Sequence, residues 1–130
     1  MKKTIDVVGA IIENDKNEIL CALRSNTMTL PNMWEFPGGK IEENETIQDT
    51  IQREIQEELD CLIKADDKIF DITKYEYDKF IVNLTTIHCQ IIDGIPKPLE
   101  HSKLIWLNKE NLLSLNWAPA DIPAVNKLIK

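Results

Sequence analysis

Four apolar residues spaced four apart, Ile47, Ile51, Ile55 and Leu59, run through the most acidic stretch of the chain. That spacing places them on one stripe of an amphipathic helix, and Thr46 followed by Asp49 supplies a capping box to start it. Between Glu42 and Asp60 stand eight acids (Glu42, Glu43, Glu45, Asp49, Glu54, Glu57, Glu58, Asp60) against one base, Arg53. Acids and bases balance over the rest of the chain, so the net charge of −7 belongs to this one segment. At about 100° per residue, Glu54, Glu57 and Glu58 share an arc that overlaps the edge of the stripe, while Asp49, Gln52, Arg53 and Gln56 take the solvent side. A merely solvated charge run would lie opposite the stripe. This one lies beside it, partly facing the body of the protein, with Arg53 pointing elsewhere.

Like charges three and four apart repel, and more strongly when partly buried, so a cation is expected among these glutamates. Carboxylate oxygens with no His cluster beside them suit a hard ion, Mg²⁺, or Mn²⁺ in its place. Divalent ions in an acidic site are a common way to handle a polyphosphate. Gly38-Gly39, just ahead of the acidic segment, allows a backbone group to approach such ions closely.

The rest of the sequence sets the frame. With 130 residues and 43% apolar composition, residues 1–130 read as a single domain around one core. Val7 to Ile12 is far shorter than the roughly 20 apolar residues of a membrane span. The acidic balance disfavours nucleic-acid polymers as partners. Met1-Lys2-Lys3 is basic, but Asp6 and Glu13 interrupt the short apolar stretch after it, and a cytoplasmic location is expected. Cys21, Cys61 and Cys89 form no CxxC pair and suit reduced, mostly buried thiols.

Thr4 to Ile12 and Glu18 to Leu23 read as two strands joined as a hairpin at Asn14-Asp15-Lys16-Asn17. A polar loop, Arg24 to Met33, comes next. Ile69 to Ile92 reads as a long hairpin turning at Asp78-Lys79, and Lys103 to Leu107 as a last short strand. Asn108 or its neighbours start a short helical turn. Pro119 and Asp121 begin a final helix with apolar positions Ile122, Val125, Leu128 and Ile129. The pattern is a mixed α/β domain.

Gly39, five residues, Glu45, seven residues, and Arg53-Glu54-Ile55-Gln56-Glu57-Glu58 resemble the Nudix box. Trp34-Glu35-Phe36-Pro37-Gly38-Gly39-Lys40 is similar to the approach to that box in MutT-type nucleoside triphosphate pyrophosphohydrolases. Ala118-Pro119-Ala120-Asp121-Ile122-Pro123 is similar to the C-terminal segment of their CTP-directed members. The resemblance implies the Nudix fold, a mixed β-sheet sandwiched between α-helices, and an Mg²⁺-dependent enzyme, a monomer or homodimer. Its expected substrate is a CTP- or dCTP-like or modified nucleoside triphosphate, cleaved to the monophosphate and pyrophosphate. Hydrolysis of 8-oxo-dGTP is the alternative, with a non-catalytic nucleotide-binding regulator behind both.

Carried over residue by residue, the resemblance makes Glu54, Glu57, Glu58, Glu100 and the carbonyl of Gly38 metal ligands, with Glu58 or Glu100 as general base. Glu45 and Arg53 become an ion pair bracing the loop against the helix. Arg24 and Lys40 are expected at the triphosphate, or else as surface bases. Phe36 and Tyr77 are expected near the base, or else in the core. Asp121 suits both base reading and capping of the last helix. As an ionised acceptor it would take a hydrogen bond from the cytosine amino group. Asp60 stands where the box normally has glycine, so the helix exit is expected to carry a left-handed aspartate.

Overall fold

The computed structural model describes residues 1–130. In chain order the elements are β1 (Lys3–Ile12), β2 (Glu18–Leu23), β3 (Trp34–Glu35), β4 (Gly38–Lys40), α1 (Ile47–Leu59), β5 (Leu62–Glu76), β6 (Phe80–Asp93), β7 (Lys103–Asn108) and α2 (Ile122–Leu128). Two 3₁₀ turns, Lys109–Ser114 and Pro119–Asp121, lead into α2.

β1 organises the whole. Its side chains alternate, sending Val8, Ala10 and Ile12 to one face and Ile11 to the other. Both faces are covered, which is why the segment reads as an almost unbroken apolar run. On one face Ile51, Ile55 and Leu59 of α1 pack with Ile63, Ile87 and Cys89. On the other, Ala124, Val125 and Leu128 of α2 pack with Phe36, Leu112 and Trp117. The α/β sandwich is thus built outward from a single central strand.

β1 pairs in parallel with β6 and antiparallel with β4, giving a mixed sheet of order β4-β1-β6-β5. Both edges of β1 are therefore occupied. β2 crosses to a second, antiparallel sheet of order β3-β2-β7. This corrects the expected β1–β2 hairpin: the turn is closed by Asn14 N–H to Glu18 O at 3.0 Å and one isolated bridge, Glu13 to Ile19, but the two strands form no ladder.

The β5–β6 hairpin turns where expected, between Glu76 and Phe80, but begins earlier than Ile69. Ile63 and Ala65 are buried in alternation with exposed Leu62, Lys64 and Asp66. A register shift between Ala65 and Ile69 breaks that alternation and hides the strand's start in the sequence. In α2, Val125 and Leu128 are buried as expected, whereas Ile122 and Ile129 stay exposed. All three cysteines are buried and unpaired. No helix is long and apolar enough to cross a membrane.

Candidate active site

α1 starts and stops as its sequence dictates. Asp49 N–H donates to the Thr46 hydroxyl at 3.0 Å, and Thr46 N–H donates back to Asp49 at 3.4 Å. The helix ends on Asp60 at φ 54, ψ 45, the left-handed conformation expected of a glycine substitute. Between these caps the stripe fixes the helix's rotation and leaves the glutamates graded in burial. Glu57 is exposed, Glu54 half-buried and Glu58 buried.

Arg53 grips Glu45 with two parallel contacts, Nε to Oε2 at 2.6 Å and Nη2 to Oε1 at 2.9 Å. Those hydrogen bonds hold the Glu45 carboxyl down to about 2. Arg53 does not otherwise point to solvent, which corrects the helical-wheel expectation. Its Nη1 reaches Glu54 at 3.2 Å and Glu57 at 3.3 Å. A long flexible side chain can bend around the helix, and repulsion among the carboxylates gives it reason to.

Glu58 lacks such a partner. Burial first, then the charges of Glu54, Glu35 and Glu100, push its carboxyl up to about 9. Burial also raises Glu54. Gly39 lies against Glu54: a Cβ there would stand 2.3 Å from the Glu54 carboxyl carbon. A Cβ on Gly38 would stand 1.9 Å from the carbonyl oxygen of Val8, so Gly38 accepts no side chain, and one at Gly39 would displace the Glu54 carboxyl.

Glu100 is exposed in the loop between β6 and β7. That loop is tied to the end of α1 by Lys97 N–H to Leu59 O at 2.8 Å and Leu99 N–H to Glu58 O at 3.2 Å. The donor set of glutamates and glycine backbone fits a hard divalent ion. The buried, unpartnered Glu58 Oε1 and the glycine cradle under Glu54 agree with that fit. No three of these groups converge on one point, so their side chains must rotate to share an ion.

Beside this cluster opens a cavity of about 350 Å³ lined by Arg24, Glu35, Phe36, Gly38, Gly39, Tyr77 and Asp121 among others. That size suits a small organic ligand. Its lining brings together four of the five residues expected to bind substrate; Lys40 is exposed on β4 and stands outside it. Arg24 Nη1 pairs with Glu35 Oε1 at 2.7 Å. Phe36 is buried against Trp117, ring centres 4.9 Å apart, so it serves both core and cavity wall. The Tyr77 hydroxyl accepts from Ala120 N–H at 3.1 Å, and burial raises its pKa.

Asp121 is 6% exposed, and its Oδ2 accepts from Phe36 N–H at 2.9 Å. It makes no side-chain cap for α2, which corrects that alternative. Burial first, then the charge of Glu35, pushes its carboxyl well up, favouring the neutral acid over the ionised acceptor expected from the sequence.

Two residues without an expected role complete the site. Glu35 Oε2 meets His101 Nε2 at 2.8 Å, and His101 Nδ1 faces Glu58 Oε1 at 4.0 Å. Glu35 carried a weak signal, an acid between Trp34 and Phe36 on an otherwise apolar segment. His101 carried none, since nothing in the sequence announces the burial of a loop histidine.

With this geometry in place, comparison with known proteins gives the class. The NUDIX domain family matches residues 7–127, and the chain belongs to that family. It is 36% identical over 121 residues to the CTP pyrophosphohydrolase of Escherichia coli (strain K12), covering 93% of this chain and 88% of the relative. It is 33% identical over 128 residues to the 8-oxo-dGTP diphosphatase of the same strain, covering 98% of each. The solution NMR structure of the DNA mismatch repair protein MutT, a Nudix hydrolase from methicillin-resistant Staphylococcus aureus 252, superposes with a TM-score of 0.79 at 54% identity. That match covers 99% of this chain and 98% of the other. The protein is a MutT-like Nudix hydrolase.

Proposed function

We propose that the protein hydrolyses nucleoside triphosphates to the monophosphate and pyrophosphate, acting on CTP- and dCTP-like or modified nucleotides. One observation carries the reading: a cavity of nucleoside size, walled by Phe36, Tyr77 and Asp121, opens onto Gly38 and Gly39, the second of which lies against Glu54. A base seated between the aromatic side chains directs its phosphates toward the acidic face of α1. Arg24 on the cavity wall is placed to meet them.

Glu54, Glu57, Glu58, Glu100 and the Gly38 carbonyl would hold Mg²⁺, with Mn²⁺ able to replace it. Bound there, the ion neutralises the polyphosphate and makes water a better nucleophile. Water attacks the β-phosphorus, and the bond from that phosphorus to the oxygen bridging α and β breaks. Glu58, whose carboxyl a bound cation would ionise, or Glu100 takes the water's proton. The released monophosphate keeps the bridging oxygen, and pyrophosphate gains the water's.

Similarity to the CTP pyrophosphohydrolase and the Ala118-Pro119-Ala120-Asp121 segment support cytosine nucleotides. A second reading, 8-oxo-dGTP, has its own support. A neutral Asp121 both donates and accepts, so it can pair with a base edge that carries an acceptor as well as a donor. A pyrophosphate-release screen decides, using CTP, dCTP, their 5-substituted forms, 8-oxo-dGTP and the common triphosphates with Mg²⁺. Cytosine nucleotides are expected to turn over fastest, and excess chelator to abolish release. Strong selectivity for 8-oxo-dGTP installs the second reading, and activity undiminished by chelator removes the metal.

A further inference from the structure

His101 has no part in the reaction as proposed, yet it is among the most enclosed polar side chains of the molecule, 1% exposed. Its Nε2 is committed to Glu35 Oε2 at 2.8 Å. Its Nδ1 is buried without a hydrogen-bond partner, and so is Glu58 Oε1, the atom it faces at 4.0 Å. Two buried polar atoms left unpaired and pointed at one another are unfavourable. Closing the gap by about 1 Å makes a hydrogen bond, and one proton between the two atoms satisfies both, whichever of them carries it.

We propose that His101 is a positioning residue for Glu58: clamped through Nε2 by Glu35, it presents Nδ1 to the Glu58 carboxyl and fixes the rotamer that Glu58 offers to the metal site. The inference rests on the reading of Glu58 as a ligand. The clamp is built from three separate segments. Glu35 comes from β3 and also pairs with Arg24 on the cavity wall. Glu58 comes from the last turn of α1, and His101 from the loop whose backbone is bonded to the carbonyl of Glu58 itself. Arg24, Glu35, His101 and Glu58 therefore form one chain of contacts between cavity and helix. A side chain with three rotatable bonds gains most from such a brace, since its disorder otherwise has to be removed when an ion binds.

The test compares His101→Gln, whose amide reaches the Nε2 position toward Glu35, with His101→Asn, whose amide stands near Nδ1 toward Glu58. Mn²⁺ is titrated into the nucleotide-free protein, and kcat and KM are measured on the best triphosphate of the screen. His101→Gln is expected to weaken Mn²⁺ binding and to lower kcat by roughly 10–100-fold, with KM little changed. His101→Asn is expected to recover most of both. Glu35→Gln, which weakens the clamp but keeps the imidazole, is expected to show the same losses at smaller size and covers the case in which His101→Gln does not fold. Wild-type Mn²⁺ affinity in His101→Gln overturns the proposal, as do equal losses in the Gln and Asn variants accompanied only by lower thermal stability. A wild type that binds Mn²⁺ in a His101-dependent way but cleaves no triphosphate overturns the proposed function and leaves the positioning role standing.

Discussion

Asp121 and Glu45 are both acids in a strongly acidic chain, and their surroundings drive them in opposite directions. Arg53 hydrogen bonds hold Glu45 down to about 2, whereas burial pushes Asp121 well above its ordinary 3.8. For Asp121 the consequence for stability has a definite sign. Below its ordinary value the folded and unfolded chains both hold the proton, and nothing depends on pH. Above it the unfolded chain releases the proton while the folded chain keeps it, so stability falls as pH rises. Asp121→Asn lacks this penalty and can still accept from Phe36 N–H. Its melting temperature should therefore gain on the wild type as pH rises above about 4. A difference that stays flat over that range restores an ionised Asp121 and the acceptor role. The sequence shows that an acid stands at this position; it does not show that Phe36, 85 residues away, supplies its partner.

The acidic helix was legible almost to the residue because its determinants are local. Capping box, four-residue stripe and left-handed exit all lie within fifteen residues of one another, and all appear in α1. Strand pairing is not local: the β5–β6 hairpin is legible from its turn, but the partners of β1 are not. Nothing between Thr4 and Leu23 states that β6 and β4 will take both edges of β1 and send β2 to another sheet. Arg53 shows the same limit within α1: its backbone position was right, but side-chain length carried the guanidinium to Glu54 and Glu57. The exit of the helix gives a clean test of the local part. Asp60 sits at φ 54, and its side chain makes only long contacts, to Lys97 at 3.5 Å and Gln56 at 3.5 Å. Glycine adopts that conformation without the steric cost of a Cβ. Asp60→Gly should raise stability by roughly 0.5–1 kcal/mol, a few degrees in thermal melting, with kcat unchanged because the glutamates precede the cap. A lower melting temperature would mean that the Lys97 and Gln56 contacts outweigh the backbone strain.

At the scale of the whole molecule, the cavity exists because segments far apart in sequence meet around β1 and β4. Arg24 follows β2, Glu35 and Phe36 lie where the chain passes from β3 to β4, Tyr77 sits at the β5–β6 turn, and Asp121 precedes α2. Individual members were recognisable as residue types in a pattern. Glu35 and His101 were not, since their role is to join segments, and joining is visible only after folding. Tyr77 is the fastener on the open side. Its hydroxyl holds Ala120 at 3.1 Å, and its ring lies tilted against Tyr75 and Phe80, ring centres 4.7 and 5.3 Å away. Two variants separate these functions. Tyr77→Phe removes one hydrogen bond and leaves Ala120 N–H to find another partner, a loss of about 1 kcal/mol that should appear mainly in thermal melting. Tyr77→Ala also removes the face on which a base would stack, worth roughly 1–3 kcal/mol. Its KM should therefore rise by about 5–150-fold beyond that of Tyr77→Phe, while its melting temperature falls only modestly further, because the ring is half-exposed. If Tyr77→Ala instead unfolds the protein well below the Tyr77→Phe midpoint with KM unchanged, Tyr77 is a packing residue and the base must stack elsewhere in the cavity.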